Sequence, residues 1–458
     1  MEQQLPPSLL ASLENVKGFD LSAFTIAHKT QNQISSVRIN PAKIFDINKS
    51  VLNVDSKVLW SSKGFYLKER PSFTIDPFFH AGAYYVQEAS SMFLEEVLKQ
   101  SCDLNASLKL LDLCAAPGGK STLLQSLISN ESLLVCNEVI KTRVNVLSEN
   151  ITKWGAVNTV VTNNDPKDFQ RLPEYFDVII ADAPCSGSGL FRKDPDAINE
   201  WSVDNVVLCS QRQQRILADI IPALKPGGLL IYSTCSYSES ENETIADWLL
   251  NENEFETVQI KLDDDWGIVE TQSVNKKAFG YRFYPDKIKG EGFFIAAFRK
   301  KGDYNNSEKI KTKSRQELIS KSQLQYLNGW IQDTNAMAFF KWKDNIIAFP
   351  ESLLNEISIL QSALYIKKAG VNIGSIIREE LIPSHELAVS TLIKKNINSV
   401  SWELESALQY LRHQTIHETI LERGWLMVKF GGLSLGFLKS MPNRINNYYP
   451  REWRILNK

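Results

Sequence analysis

Cysteine is scarce and unpatterned in this chain, six in 458 residues at 102, 114, 136, 185, 209 and 235, with no C-x-x-C pair. That argues against a zinc ribbon and, in a long chain with no export signature, against a disulfide framework. Nowhere do the roughly 18 apolar residues of a spanning helix run together, and MEQQLPPSLL has no cationic segment ahead of an apolar core. A membrane or secretory destination is therefore not expected, and a cytoplasmic one is. Charge of one sign is also lacking, with 51 Lys plus Arg against 53 Asp plus Glu. No global attraction to nucleic acid follows, so any basic surface must be local. Among five histidines, only His413 and His417 have a metal-like spacing, four apart on an expected helix. Without a third ligand nearby, a partly buried helix face is expected and a metal is not.

What is present begins with a hydrophobic content of 43% and 10% aromatics, sufficient for two to three ordinary cores. The chain is organised around Lys109 to Thr122, KLLDLCAAPGGKST. An apolar run ends in Asp112, small residues and Pro117 follow, and two glycines open a helical pattern, so the stretch reads as a buried strand turning into a helix. Gly118 and Gly119 permit backbone geometry and close ligand approach that a Cβ forbids, and the new helix offers unpaired N–H groups. A nucleotide-like ligand fits such a turn.

Residues 1–100 read as an N-terminal α+β module: a helical pattern after Pro6 and Pro7, the extended SVRIN, then FYLKERPSF. A helix follows from near Gln87, with Met92, Phe93, Val97 and Leu98 facing a core. Arg38, Lys68 and Arg70 lie among aromatics, a pattern open to RNA contact, with a solvated face the preferred reading. Residues 101–300 alternate strands (KLLDLC, SLLVCNE, NTVVTNN, FDVIIADAP, GGLLIYSTC, GFFIAAFRK) with helices, which implies a parallel sheet covered on both faces and a ligand at the carboxyl ends of its strands. A charged linker at 301–315, a connecting α+β segment at 316–360 and a small β-rich module at 361–458 complete the expected organisation. Arg423 to Lys458 carries seven Lys or Arg and one acid, Glu452, interleaved with Trp425, Phe430, Phe437, Tyr448, Tyr449 and Trp453. Positive charge with aromatic planes is the composition of an RNA-binding surface, and RNA is the expected partner.

Three ligands compete for the glycine turn. A triphosphate loop, G-x-x-x-x-G-K-[ST], is matched in its second half by GGKST, but Cys114 stands where its first glycine belongs. The dinucleotide pattern G-x-G-x-x-G is absent. S-adenosylmethionine, a cationic sulfonium with an adenosine, needs acids and close backbone instead. Asp112 and Asp182 supply negative character, Glu138, 19 residues beyond Gly119, suits ribose hydroxyls, and Asp165 suits the adenine amino group. Each acid alone is more often a cap or a solvated side chain; four at successive strand ends favour the cation.

Cys185 in DAPCSG and Cys235 in STCSYS end neighbouring strand candidates, where both can face one pocket and where the setting can favour thiolate. Cytosine C5 is too weak a nucleophile to take a methyl group unaided, and a thiolate added at C6 makes it an enamine. As a lone residue each cysteine would more often be a small buried hydrophobe.

These stretches, with SVRIN, YYVQEASSM, NEVIKTRVNVL, DAPCSGSGLFRKDP and LKPGGLLIYSTCSYSESENE, resemble the RNA cytosine-5 methyltransferase family of the bacterial Fmu/Sun kind from about Val37 to Arg299. The C-terminal stretch GWLMVKFGGLSLGFLKSMPNRINNYYPREWRI is similar to the end of the small-subunit ribosomal RNA subgroup of that family, RsmF. The resemblance implies an α/β, Rossmann-like S-adenosylmethionine-dependent methyltransferase domain with an N-terminal α+β module and a C-terminal PUA-like β-rich domain. It implies 5-methylcytosine made in 16S ribosomal RNA or the assembling small subunit, with transfer RNA, or ribosome assembly with little catalysis, as alternatives.

By the same carry-over Cys235 attacks C6 and Cys185 assists release, whereas DNA cytosine methyltransferases use the cysteine of the Pro-Cys pair. Cys114, Ala115, Ala116, Pro117, Gly118, Gly119 and Lys120, with Glu138, Asp165 and Asp182, would bind S-adenosylmethionine, and Asp182 and Lys120 would also hold the cytosine edge. Pro166 stands where the family commonly has Gly or Ala after the third-strand acid. Arg143 matches the arginine that follows the ribose-binding acid, and a surface salt bridge is an equally good reading. A monomer without metal is expected.

Overall fold

The computed structural model describes residues 4–29, 34–251, 254–302 and 316–456; the expected linker lies outside them from 303 to 315. An antiparallel sheet of order β2-β3-β1-β4 comes first, built from β1 (Ser35–Ile39), β2 (Val54–Lys57), β3 (Gly64–Leu67) and β4 (Tyr84–Val86). It leads into a helix, Leu94–Ser101, that buries Val97 and Leu98 as its spacing implied, with Met92 and Phe93 buried in the turn before it. Arg38 corrects the sequence reading: it is neither an RNA contact nor a solvated group but is 1% exposed on β1. Its guanidinium donates to Gln87 Oε1 (2.8 Å), Ser126 Oγ (3.1 Å), Thr122 Oγ1 (2.6 Å) and the Gly119 carbonyl (3.3 Å). A planar fork of donors tolerates burial only when it is filled in this way.

The central sheet contains β5 (Lys109–Asp112), β6 (Leu133–Asn137), β7 (Thr159–Thr162), β8 (Phe176–Asp182) and β9 (Leu224–Thr234), followed by β10 (Phe255–Val258), β11 (Val269–Gln272), β12 (Phe279–Phe283) and β13 (Phe293–Lys300). β7, β6, β5, β8 and β9 lie side by side and parallel. β13, β12 and β11 extend the β9 side antiparallel, and β10 pairs with β13. Alternate residues point to opposite faces. Leu111, Val135, Val160 and Ile179 enter one core and Leu110, Leu134, Val161 and Ile180 the other, which is why these strands are apolar throughout. The chain leaves β5 towards β6 on one side and later returns beside it as β8, so the strand order reverses there. The crevice at such a switch point, at the carboxyl ends of the strands, is where open α/β sheets bind ligands.

Beyond the central sheet come β14 (Met337–Trp342), β15 (Asn345–Pro350), β16 (Ile366–Ala369), β17 (Val371–Ile377) and β18 (Glu380–Pro383). β14-β15-β17-β18 is a sheet that straddles position 361, where the sequence suggested a division, while β16 pairs antiparallel with β7 and closes that edge. The last sheet joins β19 (Ser399–Ser401), β20 (Gly424–Phe430), β21 (Leu433–Met441) and β22 (Arg444–Asn447). It shares a core with the N-terminal module, in which Phe78 meets Phe430 edge-on at 4.9 Å. The helix Leu404–Leu411 ends before His413, so His413 and His417 do not share a helix face; His413 Nε2 lies 2.6 Å from the Tyr449 carbonyl. Among the described residues no helix is long and apolar enough to cross a membrane, and no group of His, Cys, Asp and Glu is arranged to hold a metal ion.

Candidate active site

The glycine turn is pinned from several directions. Leu113 N donates to the Ile180 carbonyl (2.9 Å) and Ala115 N to the Asn137 carbonyl (2.8 Å), which hold the turn above β8 and β6. The Ala116–Pro117 peptide is cis, and Gly118 sits at φ +116° in the left-handed region, where a side chain would be strained, before the helix Gly119–Leu127 begins. From the helix Lys141–Trp154, Arg143 donates to the Ala116 carbonyl (2.6 Å) and Asn150 to the Pro117 carbonyl (2.8 Å). Arg38 grips the first turn of the new helix from the other side. A Cβ on Gly119 would lie 3.4 Å from the Tyr85 ring, so the N-terminal module forms part of the loop's wall.

Three of the four acids converge around this turn. Asp112 is fully buried, with Oδ2 accepting from Ser121 Oγ (2.6 Å) and Oδ1 without a hydrogen-bond partner among the described residues. Burial pushes its carboxyl up to about 7, against the Ser121 hydrogen bond and the Lys120 charge. Glu138 is 2% exposed; Oε1 accepts from Ile140 N (2.9 Å), and Oε2 has no hydrogen bond among the described residues but pairs with the Arg143 guanidinium at 3.5 Å. Arg143 thus satisfies both of its readings, pairing with the acid and clamping the loop. Burial raises the Cys114 thiol, and the charges of Asp182, Asp112 and Glu138 raise it further. Buried carboxylate oxygens without donors are costly unless a ligand supplies donors or positive charge, so these residues fit a cationic adenosine ligand. Asp165 follows β7 as expected, but its Oδ1 accepts from Lys167 N (3.2 Å) and Asp168 Oδ2 accepts from Asp165 N (3.2 Å). It is the N-cap of a short turn in which Pro166 takes the first position, and no hydrogen bond or ion pair joins it to the other site residues among those described.

Across the crevice, Cys185 and Cys235 follow the adjacent strands β8 and β9, and their sulfurs are 3.0 Å apart as free thiols. Cys185 departs from the expectation that each setting favours thiolate: the hydrogen bond with Cys235 and burial hold its thiol well above the usual range. Cys185 therefore keeps its proton, and either sulfur can be the donor of the contact. Lys120 Nζ lies 2.8 Å from Asp182 Oδ2, whose other oxygen accepts from Ser233 Oγ (2.7 Å). Burial lowers the Lys120 ammonium, but Asp182, Asp112 and Cys235 outweigh it and the group stays charged. The ion pair therefore stands between the glycine turn and the cysteines.

One residue of this site escaped sequence reasoning. Glu241 is fully buried, and its Oε1 accepts from Ser186 N (2.8 Å) and Gln213 Nε2 (3.3 Å), its Oε2 from Ser186 Oγ (2.6 Å) and Ser236 Oγ (2.5 Å). Burial raises its carboxyl, partly offset by the two serine hydroxyls. Ser186 and Ser236 each follow a cysteine, so this carboxyl ties the two cysteine loops to each other. The repeated Cys-Ser dipeptide is the signal that a sequence reader has for it.

Comparison with known proteins identifies the family. A family model described as 16S rRNA methyltransferase RsmB/F matches residues 101–299, one for the N-terminal domain of 16S rRNA methyltransferase RsmF matches 5–89, and one for the methyltransferase RsmF PUA domain matches 397–455. The chain is 30% identical to ribosomal RNA small subunit methyltransferase F of Aeromonas salmonicida over 91% of this chain and 90% of that one. To the protein of the same name from Vibrio atlanticus it is 29% identical over 98% and 97%. Among solved structures, a methyltransferase homologue from Pyrococcus horikoshii superposes with a TM-score of 0.51 at 29% identity, covering 65% of this chain and all of that one. NSun6 from Pyrococcus horikoshii, solved with SFG, has the same fold at a TM-score of 0.54 and 19% identity, over 66% of this chain and 100% of that one.

Proposed function

Because the chain belongs to the family of 16S rRNA methyltransferases RsmB/F, we propose that it methylates C5 of a cytosine in 16S ribosomal RNA. It does so through a covalent adduct of Cys235 with C6 of the base. The observation that carries this reading is the pair of sulfurs 3.0 Å apart beside the Lys120–Asp182 ion pair. The Cys235 thiolate adds to C6 and the C5–C6 π electrons move onto the base, where the Lys120 ammonium held by Asp182 gives N3 the proton that neutralises them. Bound S-adenosylmethionine supplies the electrophilic methyl group that C5 takes. A solvent water then takes the C5 proton, the Cys235 sulfur leaves as thiolate and N3 returns its proton to Lys120, with Cys185 assisting this elimination.

Asp112, Glu138, Asp182 and the turn Cys114 to Lys120 would hold the cofactor, and Asp165 would meet its adenine. The target base must leave its stack to reach the sulfur. Cys235→Ala should abolish methyl transfer while leaving S-adenosylmethionine binding intact, and normal turnover by that variant would refute the nucleophile. Cys185→Ala should accumulate a protein–RNA adduct that survives denaturing gels; free protein after incubation with RNA and cofactor would refute its role in release.

A further inference from the structure

A second ligand site lies away from the cysteines. Where the N-terminal module, the segment around 388–395 and the β20–β21 hairpin meet, the fold leaves a cavity of about 410 Å³, within the range of small-ligand sites. Four lysines, Lys43, Lys394, Lys395 and Lys429, line it, and no acid does. None of the four belongs to an ion pair among the described residues, although most other buried or half-buried lysines among them have a carboxylate partner.

The hydrogen bonds these lysines do make go to backbone carbonyls. Lys43 Nζ reaches the carbonyls of Ala81 and Lys153, Lys394 that of Asn328 and Lys429 that of Lys395. A carbonyl orients an ammonium without neutralising it; burial lowers the Lys43 ammonium to about 7, so the charge offered to an anion comes chiefly from Lys394, Lys395 and Lys429. The lining between the lysines is mostly apolar, with Met427 buried and Ile44 92% exposed, and Thr391 and Ser434 among its polar members.

We propose that this cavity binds a single-stranded segment of the RNA substrate, with phosphates on the lysines and a base against Met427 and Ile44. The proposal rests on RNA being the substrate. A free phosphate needs no apolar wall, and an acidic peptide brings carboxylates but no planar base; an unstacked nucleotide brings both an anion and an apolar face. Lys43 also reaches the last turn of the helix Lys141–Trp154, whose first turn carries Arg143 at the glycine loop. Fourteen residues of helix span about 20 Å, so the cavity is an anchoring point at a set distance from the chemistry.

The test is binding of a short fluorescent oligouridylate by full-length protein, read by anisotropy across salt concentrations. Replacing Lys394, Lys395 and Lys429 together by Ala should weaken binding tenfold or more and reduce the salt slope by about 2, at roughly 0.7 per phosphate contact on a single strand. S-adenosylmethionine affinity and melting temperature should not move, and the triple Arg variant should restore RNA affinity. Unchanged RNA affinity in the folded Ala variant overturns the site, as does displacement of the oligouridylate by inorganic polyphosphate or polyglutamate as readily as by unlabelled RNA. If the variant loses RNA affinity while wild-type protein makes no 5-methylcytosine, the cavity stands and the enzymatic reading falls; methylating protein with an indifferent Ala variant gives the opposite result.

Discussion

On the loop side of the crevice Asp112 and Glu138 each keep a buried oxygen without a hydrogen-bond donor, whereas on the cysteine side Glu241 has donors on both of its oxygens. The acids are equally buried and differ in what the protein supplies to them. A carboxylate that the fold leaves short of donors is reserved for something that arrives, and one that the fold fills is holding the protein to itself. The loop side is therefore read as the methyl donor's half and the cysteine side as a rigid mount for two sulfurs. This contrast assigns each acid a different consequence on removal.

Glu241→Ala should have the largest effect. It leaves Ser186 N, Ser186 Oγ and Ser236 Oγ without their acceptor, each orphaned donor costing on the order of 1–3 kcal/mol if it stays dry, and it frees both cysteine loops. Misplacing a reacting group by about 1 Å costs on the order of a hundredfold, so single-turnover methylation should fall at least that far while S-adenosylmethionine titration changes little. Glu241→Gln, which keeps part of the network, should recover some of the rate. Equal loss of turnover and cofactor affinity would mean that the two sides are one unit and that the contrast is false.

Glu138→Ala should do the reverse. Hydrogen bonds to a charged group contribute about 1.5–3 kcal/mol, so its loss should raise the S-adenosylmethionine dissociation constant roughly ten- to a hundredfold while leaving the cysteine loops undisturbed. Isothermal titration separates the outcomes. An unchanged dissociation constant would remove Glu138 from the ligand half.

The two halves also differed in how far they could be read beforehand. Cys114 to Lys120, with acids at successive strand ends, is a local pattern: each residue's place in the fold follows from neighbours a few positions away and from the alternation of strand and helix. Glu241 and Arg38 carry no such pattern. One is an acid in an acid-rich turn that closes on Ser186, 55 residues earlier, and the other is an arginine among aromatics whose partners include Ser126, 88 residues later. Nothing periodic announces a polar side chain whose donors or acceptors come from another element, and Arg38 reads by default as part of a solvated face. β16 lies in the strand-like stretch LYIKKAGVNIGSI of the C-terminal module, but its antiparallel pairing with β7 is decided by topology some 200 residues away. Asp165 was legible in position but not in engagement, because Pro166 made a capped turn of the loop that follows β7.

A smaller effect comes from the protonation of Asp112. Its folded carboxyl titrates near 7, above its ordinary 3.8, because burial disfavours the charge. The folded state thus holds this proton more tightly than the unfolded chain. The contribution is fully present below about pH 3.8 and is lost as pH rises to 7. The melting temperature of cofactor-free wild type, measured against Asp112→Asn, should therefore decline relative to the variant across that window. Affinity for S-adenosylmethionine should rise through pH 7, as the carboxylate forms opposite a cation, and this dependence should vanish in the variant. A wild type that tracks Asp112→Asn at every pH would show that the orphaned oxygen does not titrate and is not held for a charged ligand.

Asp165 should give the smallest change, and it tests the contrast at its boundary, because one of its oxygens caps a turn while the carboxylate also stands at the ligand end of β7. Asn caps as well as Asp does, so Asp165→Asn should leave the melting temperature in place. If the second oxygen accepts from the adenine amino group, replacing it by an amide NH₂ sets donor against donor, and cofactor affinity should fall several-fold. Asp165→Ala removes both functions, adding a capping loss of about 0.5–2 kcal/mol to the same weakening. Equal cofactor affinities for wild type and Asp165→Asn would make Asp165 a scaffold acid like Glu241, filled by its own chain, and would leave the adenine to be recognised by backbone and apolar contact alone.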